Sequence, residues 1–156
     1  MHDVTGTAAR VRVASSSERI VAGLLGVVGV LTLGAGLYFL LVRPAMLPED
    51  LRFTGLEPGQ VPAKMSEWLG IVFRTWGGFT VGFGVVLMGV AGYLVTTRRV
   101  ILCWATAAGL VVAFGRFFVS NLALRSDYLV FIGILFGLAA VTAAGLALTS
   151  CRNSRG

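Results

Sequence analysis

Four long apolar runs divide this chain of 156 residues, near residues 20–42, 68–95, 100–120 and 128–149. Each run is long enough to cross a bilayer as a helix, which takes roughly 20 residues. Hydrophobic residues make up 56% of the chain and charged residues only 13%, too few to cover the surface of a water-soluble domain of this length. The sequence therefore predicts an all-α integral membrane protein, a four-helix bundle that occupies residues 20–149.

The segments outside these runs are polar. Residues 1–19 are predicted to form a flexible N-terminal tail, and residues 150–156 a short C-terminal tail. The first run is too long for a signal peptide and no small-residue cleavage pattern follows it. It is therefore predicted to stay in the membrane as an anchor.

One longer loop separates the first two runs, at residues 43–67, and it contains all four prolines of the chain. Prolines and glycines at this density end helices and form turns. Within the loop, Pro48 followed by Glu49 and Asp50 is typical of a helix start, because acidic residues there stabilise the helix dipole. The loop is predicted to contain a short interfacial helix, and Ser126 is a predicted N-cap for the last long helix.

Basic residues fall unevenly between the two sides of the predicted bundle. If the N-terminus is cytoplasmic, seven arginines lie on the cytoplasmic side and four basic residues on the other side. Cytoplasmic segments carry the basic excess in membrane proteins, so both termini are predicted to be cytoplasmic. The net charge of +6 does not indicate nucleic-acid binding, because the arginines are scattered and form no nucleic-acid-binding motif. Arginine outnumbers lysine twelve to one, which is typical of a GC-rich bacterial genome and favours a bacterial inner (cytoplasmic) membrane.

Small residues recur at helical spacing in every run. Small residues four apart let helix backbones approach closely in lipid, so these faces are predicted to pack the bundle. A homo-oligomer or a partner membrane subunit bound on one of the faces is the alternative that the pattern leaves open. The helix-packing glycines predicted in this way are Gly78, Gly82, Gly89, Gly92, Gly109, Gly133 and Gly137.

Two arginines, Arg74 and Arg116, lie well inside the apolar runs, at a similar predicted depth below the outer surface. A charge at the bilayer centre costs about 2.5–3.5 kcal/mol on insertion scales, and intramembrane charges often mark functional sites. In one interpretation, both arginines are structural and form ion pairs with acids at the rim. The candidate acids are Glu67, Asp127, Glu57, Glu49 and Asp50. In the other, they line one outward-facing pocket for a lipid, a quinone or a small anion.

Residues that would support catalysis are scarce. The one histidine, His2, lies in the predicted tail, and the two cysteines, Cys103 and Cys151, lie far apart in the chain. Neither a nucleophile–histidine pair nor a histidine–cysteine metal site can be assembled from them. The chain alone is therefore predicted to be non-catalytic, with no cofactor and no metal.

Three stretches resemble the DoxX-like superfamily of small four-helix bacterial membrane proteins. They are GLYFLLVRP at residues 36–44, RTWGGFTVGFGVVLMG at residues 74–89, and the pair Gly115 and Arg116 late in the third helix. The resemblance spans roughly residues 20–149, is nearest to a branch of unknown function, and implies the fold and the membrane compartment. Some DoxX-like proteins are small subunits of quinone-linked redox complexes, but no functional residue of that family is transferred to this chain.

Three functions are compatible with these observations. The first is a small non-catalytic multi-pass protein that supports a membrane complex or process. The second is a binding or transport protein whose pocket uses Arg74 and Arg116. The third is an accessory subunit of a quinone-linked oxidoreductase.

Overall fold

The computed structural model describes residues 15–97 and 99–153, and all regular secondary structure in these ranges is helical. Four of the helical segments in these ranges are long and apolar enough to cross a membrane, which confirms the predicted all-α fold. The helices are α1 (Ser16–Leu37), continued by a π-helical turn (Tyr38–Val42), α2 (Pro48–Thr54), α3 (Ala63–Thr96), α4 (Val100–Ala123) and α5 (Leu129–Asn153), with a 3-10 turn at Pro58–Gln60.

The long helices extend beyond the apolar runs that predicted them. Helix α1 begins four residues early, because the Ser15 hydroxyl accepts from the Glu18 N–H at 3.4 Å and the Glu18 carboxylate accepts from the Ser15 N–H at 2.8 Å. Residues 15–19 are therefore not part of a flexible tail. Helix α3 begins at Ala63 and α5 continues to Asn153. The remaining tail residues, 1–14 and 154–156, lie outside the described residues.

Glycines bring the backbones of α1 and α3 together in an antiparallel pair. A Cβ added to Gly84 would lie 2.7 Å from the Leu33 amide nitrogen and 2.9 Å from the Gly29 carbonyl oxygen. A Cβ added to Gly77 would lie 2.9 Å from the Gly36 carbonyl oxygen. The contacting glycines are thus seven residues apart on each helix, a two-turn repeat that suits two helices crossing at a shallow angle.

The structure corrects the predicted set of packing glycines. A Cβ added to most of them would meet no atom of the described residues within 4 Å, so these glycines pack against no described helix of the same chain. They are Gly78, Gly82, Gly89, Gly92, Gly109 and Gly137. Gly133 faces the ring of Phe118 at 3.6 Å. Two faces of α3 carry glycines. Gly78 and Gly82, four residues apart, lie on the predicted face, whereas Gly77 and Gly84, seven residues apart, lie on the neighbouring face that packs against α1.

Helices α4 and α5 form the second close pair, and α1 also packs against α5. The rings of Phe118 and Phe136 stack between α4 and α5 with centroids 5.3 Å apart. Gly145 on α5 receives the side chain of Val21 from α1. The side chains buried most completely between these helices are Leu25, Val28, Cys103, Leu110, Thr142, Leu146 and Ser150.

Helices α3 and α4 follow one another in the chain, yet their described residues are not packed together along their lengths. Aromatic side chains bridge the space between them. The ring centroids of Trp76 and Phe117 lie 6.3 Å apart, and those of Phe83 and Phe114 lie 6.5 Å apart. The bundle is therefore closed on three sides and open between α3 and α4.

Candidate functional site

A cavity of about 490 Å³ lies at the end of the bundle where α2 sits, and we call it the α2 cavity. Its volume falls in the range of small-molecule sites. Seven aromatic rings of the described residues line it, from the π-helical turn, α3, α4, α5 and the turn before α5. The lining rings are Tyr38, Phe39, Phe73, Trp76, Phe117, Tyr128 and Phe131, and the lining polar residues are Arg43, Glu49, Asp50, Ser120, Asn121 and Ser126.

The π-helical turn at the end of α1 positions the first polar residue of the cavity, Arg43. The N–H of Arg43 donates to the Tyr38 carbonyl, five residues back, at 2.8 Å. Such turns insert an extra residue into a helix and occur frequently at functional sites. After the turn, the backbone becomes extended and the Arg43 side chain enters the bundle, where only 5% of it is exposed.

The buried guanidinium of Arg43 is held by an acid, by backbone carbonyls and by aromatic rings. Its Nη2 donates to the Asp50 carboxylate at 2.6 Å, and its Nη1 donates to the carbonyl of Pro44 at 3.0 Å. Its Cζ lies 3.4 Å from the centroid of the Phe73 ring, a cation–π geometry. The Nε of Arg43 is buried and has no hydrogen-bond partner among the described residues. Arg43 is therefore an ion-paired structural cation at the edge of the cavity.

A second acid, Glu49, is also buried, with 3% of the residue exposed. Its carboxylate accepts a hydrogen bond from the Ser126 hydroxyl at 3.0 Å. The same hydroxyl accepts from the N–H of Tyr128 at 3.2 Å, where α5 is about to begin. Ser126 therefore ties α2 to the turn before α5; because α5 begins only at Leu129, Ser126 is not its N-cap as predicted.

A surface ion pair adds to this connection. Arg52 on α2 donates to the Asp127 carboxylate at 2.7 Å, and both side chains are exposed. This hydrogen bond raises the pKa of Arg52, whose guanidinium stays charged. Together with the contacts of Arg43 and Glu49, it holds α2 across the end of the bundle and closes the cavity there.

The charges around the α2 cavity do not cancel. Asp50 neutralises Arg43, whereas Glu49 forms no ion pair with a described residue. The lining therefore carries a formal charge of about −1 when the carboxylates are ionised. A negative charge among aromatic faces favours a cationic or neutral ligand over an anionic one.

A second cavity, of about 560 Å³, lies between α3 and α4 beside α1, and we call it the α3–α4 cleft. Exposed side chains stand at its rim, among them Phe79 and Val112, which are 76% and 71% exposed. No acidic residue lines it within the described residues. It shares part of its wall with the α2 cavity, namely Ala35, Phe39, Trp76, Phe117 and Ser120.

The structure separates the two arginines that the sequence singled out. Arg116 lines the α3–α4 cleft, whereas Arg74 is exposed and lines neither cavity. Trp76 and Phe117 touch across the cleft and lie within two residues of Arg74 and Arg116, so the two arginines are at a similar depth. They are not brought together in one cavity.

None of the rim acids proposed as partners forms an ion pair with these arginines among the described residues. Glu67 binds Lys64 at 2.8 Å, Asp127 binds Arg52, and Glu57 forms no ion pair with a described residue. Arg74 and Arg116 form no ion pair or hydrogen bond with the part of the chain that the structure describes. The ion-pair interpretation of the two arginines therefore has no counterpart in the structure.

Sequence reasoning missed the pairing of Arg43 with Asp50 and the contact of Glu49 with Ser126, because it considered these two acids as ion-pair partners only for Arg74 and Arg116. Arg43 was counted as an ordinary loop cation because it directly follows an apolar run. The available signal was the predicted helix at Pro48, which places Asp50 in a first turn that can fold back toward Arg43.

Comparisons of the chain with protein-family models, with curated proteins and with solved structures find no match. The resemblance to the DoxX-like superfamily therefore stays a prediction.

Proposed function

We propose that this membrane protein binds a small amphiphile with a flat ring in the α2 cavity, and that it prefers a positively charged ring. The observation that carries the proposal is a cavity walled by aromatic rings whose one lining charge without an ionic partner, among the described residues, is Glu49. Aromatic faces attract cations, and a carboxylate adds to that attraction. The open side between α3 and α4 gives an apolar tail a route to the bilayer.

The charge distribution disfavours a small anion as the ligand of the α2 cavity. Its one cation, Arg43, is already bound by Asp50, and an anion would approach Glu49 without compensation. Burial of an unpaired charge beside a like charge is costly. A neutral ring, such as a quinone head, lacks this penalty and is the weaker of the two expected ligand types.

Binding can be followed through Trp76, which lines the cavity. In a chain with Trp68→Phe and Trp104→Phe, Trp76 is the remaining tryptophan of three. We expect saturable quenching of Trp76 fluorescence by an N-alkylpyridinium ion in detergent micelles. An alkylbenzenesulfonate of equal chain length should fail to displace the pyridinium. Displacement by both charge types with equal affinity would refute the proposal.

Replacement of Glu49 by glutamine is expected to weaken pyridinium binding about tenfold. Two unit charges about 5 Å apart at an effective dielectric constant of about 20 interact by about 3 kcal/mol, and desolvation offsets part of this. The glutamine keeps an acceptor for the Ser126 hydroxyl, so the fold should be retained. The measurement is the same Trp76 titration.

Glu57→Gln is the matched control, since Glu57 is an exposed acid of the same loop and lines neither cavity. Its affinity for the pyridinium ion should equal that of the parent chain. If both variants lose affinity equally, the effect is one of general surface charge and the site is elsewhere.

The distribution of basic residues indicates which end of the bundle faces the cytoplasm. We propose that both termini are cytoplasmic and that the α2 cavity faces away from the cytoplasm, because basic residues outnumber acidic ones at the end opposite α2. In a bacterial inner membrane the cavity would then receive molecules from outside the cell.

A second candidate function is assembly with another membrane helix. The exposed face of α3 that contains Gly78, Gly82 and Gly89 packs against no residue that the structure describes. Small residues of this kind allow close helix contact in lipid. If α3 pairs with a second copy, Gly82→Leu should shift the protein from dimer to monomer in light scattering while thermal unfolding stays unchanged. A parent chain that is monomeric in every mild detergent would contradict a homodimer.

A further inference from the structure

Arg116 and the α3–α4 cleft have no part in the function proposed for the α2 cavity. The cleft is a large apolar space inside the membrane-spanning region, open toward the lipid between two helices that do not pack together. Its most exposed rim residues, Phe79 and Val112, are apolar. Water does not fill such a space at this depth, so the surrounding lipid is the natural occupant.

Arg116 supplies the one charge of this cleft. It lies seven residues before the end of α4 at Ala123, so its Cα is about 10 Å along the helix from that end. An arginine at such a depth extends its guanidinium toward the headgroup region while its stem contacts apolar surface. Among the described residues, no acid lines the cleft and none pairs with Arg116.

A hydroxyl stands next to this guanidinium. Ser120 follows Arg116 by four residues on α4, which puts the two side chains on one face of the helix, and both line the cleft. The Ser120 hydroxyl forms no hydrogen bond with the described residues, unlike the Thr80 hydroxyl on the opposite wall, which donates to the Trp76 carbonyl at 2.9 Å. A guanidinium and a free hydroxyl together suit a phosphate group.

We propose that the α3–α4 cleft binds an anionic phospholipid of the surrounding bilayer, with its phosphate at Arg116 and Ser120 and one acyl chain between α3 and α4. The charge of the cleft is complementary to this lipid, because one cation without an acidic neighbour faces an apolar space of about 560 Å³. The site differs from the α2 cavity in the sign of its charge. A lipid here would occupy the open side of the bundle, so it would compete for that space with the apolar tail of a ligand in the α2 cavity.

The test uses the full chain, delipidated in detergent and titrated with phosphatidylglycerol or with phosphatidylcholine of the same acyl chains. Bound lipids are counted by native mass spectrometry. The parent chain should retain one phosphatidylglycerol in preference to phosphatidylcholine. Arg116→Gln should weaken phosphatidylglycerol binding on the order of tenfold to a hundredfold, the effect of one charged hydrogen-bonding group.

Arg74→Gln is the matched control. Arg74 lies at a similar depth on α3, is equally unpaired among the described residues, and lines neither cavity. Its removal should leave lipid selectivity unchanged. Equal loss in both variants, or no loss in Arg116→Gln, overturns the proposal.

Two further arms separate the lipid from a free anion and binding from folding. Inorganic phosphate at millimolar concentration should not displace the lipid, because it lacks the acyl chain; displacement would make the site an anion site and refute the lipid. Ala113→Phe fills the cleft from an exposed position without changing its charge, and it should also reduce lipid retention. If Arg116→Gln does not fold, Ala113→Phe decides: undiminished lipid binding in it contradicts the proposal.

Discussion

Replacement of Gly84 by alanine is expected to destabilise the protein by about 1–3 kcal/mol, and leucine at the same position by more, because overpacking of a close helix contact forces backbone shifts. The added Cβ would lie 2.7 Å from the amide nitrogen of Leu33 and 2.9 Å from the carbonyl oxygen of Gly29. Both are backbone atoms, so α1 and α3 must move apart to accept it. The loss should appear as a lower thermal unfolding temperature in detergent.

Gly82→Ala is the control for this prediction, since Gly82 lies two residues away on the same helix and faces open space. Alanine is the better helix former by about 0.8–1.0 kcal/mol, so Gly82→Ala should be neutral or slightly stabilising. Equal unfolding temperatures for the two variants would show that α1 and α3 are not held at the contact between Gly29 and Gly84.

Asp50→Leu is expected to cost about 3–5 kcal/mol, the penalty for a buried charge that loses its partner. Arg43 is 5% exposed and its guanidinium would keep only backbone carbonyls and aromatic rings as partners. The free energy of unfolding in detergent is the appropriate measurement. The α2 cavity should also lose pyridinium binding, because the freed cation would stand beside the ligand.

The double variant Arg43→Leu/Asp50→Leu should recover most of this loss, because an ion pair replaced by apolar groups is often nearly neutral in stability. Asp127→Leu breaks the exposed pair with Arg52 and should have no measurable effect on stability. If Asp127→Leu lowers the free energy of unfolding strongly and Asp50→Leu does not, the exposed pair of Arg52 with Asp127, and not the buried pair of Arg43 with Asp50, holds α2 in place.

The four membrane-spanning helices were predictable because each is signalled by an apolar run of about 20 residues, and a property averaged over so many residues does not depend on any single contact. The ends of these helices were not predictable, because a helix end depends on one or two individual hydrogen bonds. The start of α1 rests on the reciprocal bonds between Ser15 and Glu18, four residues before the apolar run begins. The short helix α2 was predictable from the proline and acids at its start.

The candidate site was harder to predict, because its residues come from segments that only tertiary structure brings together. Glu49 and Ser126 are 77 residues apart in the chain, and nothing local to either one indicates the contact. Arg74 stood out in the sequence because its neighbours are apolar, but an arginine on an exposed helix face can reach the interface. Arg43 did not stand out, because burial of a loop residue depends on how the loop folds back.

The helix-packing glycines also depend on tertiary contacts that the sequence does not show. The spacing of small residues identified α3 as a packing helix, but it did not show which of its faces contacts α1. The face of α3 that packs is determined by α1, where Gly29 and Gly36 are seven residues apart and contact Gly84 and Gly77. The contact depends on the residues of both helices, so it cannot be predicted from the spacing on one helix alone.

The pairing of α1 with α3 has a consequence for how the chain is made. The glycines of α3 that receive α1 are synthesised more than 40 residues after Gly36, which takes a few seconds at about 5–20 residues per second. α1 therefore leaves the ribosome before its main partner does. Until α3 follows, only the hydrophobicity of α1 itself can keep it in the membrane, and its apolar span is long enough for this.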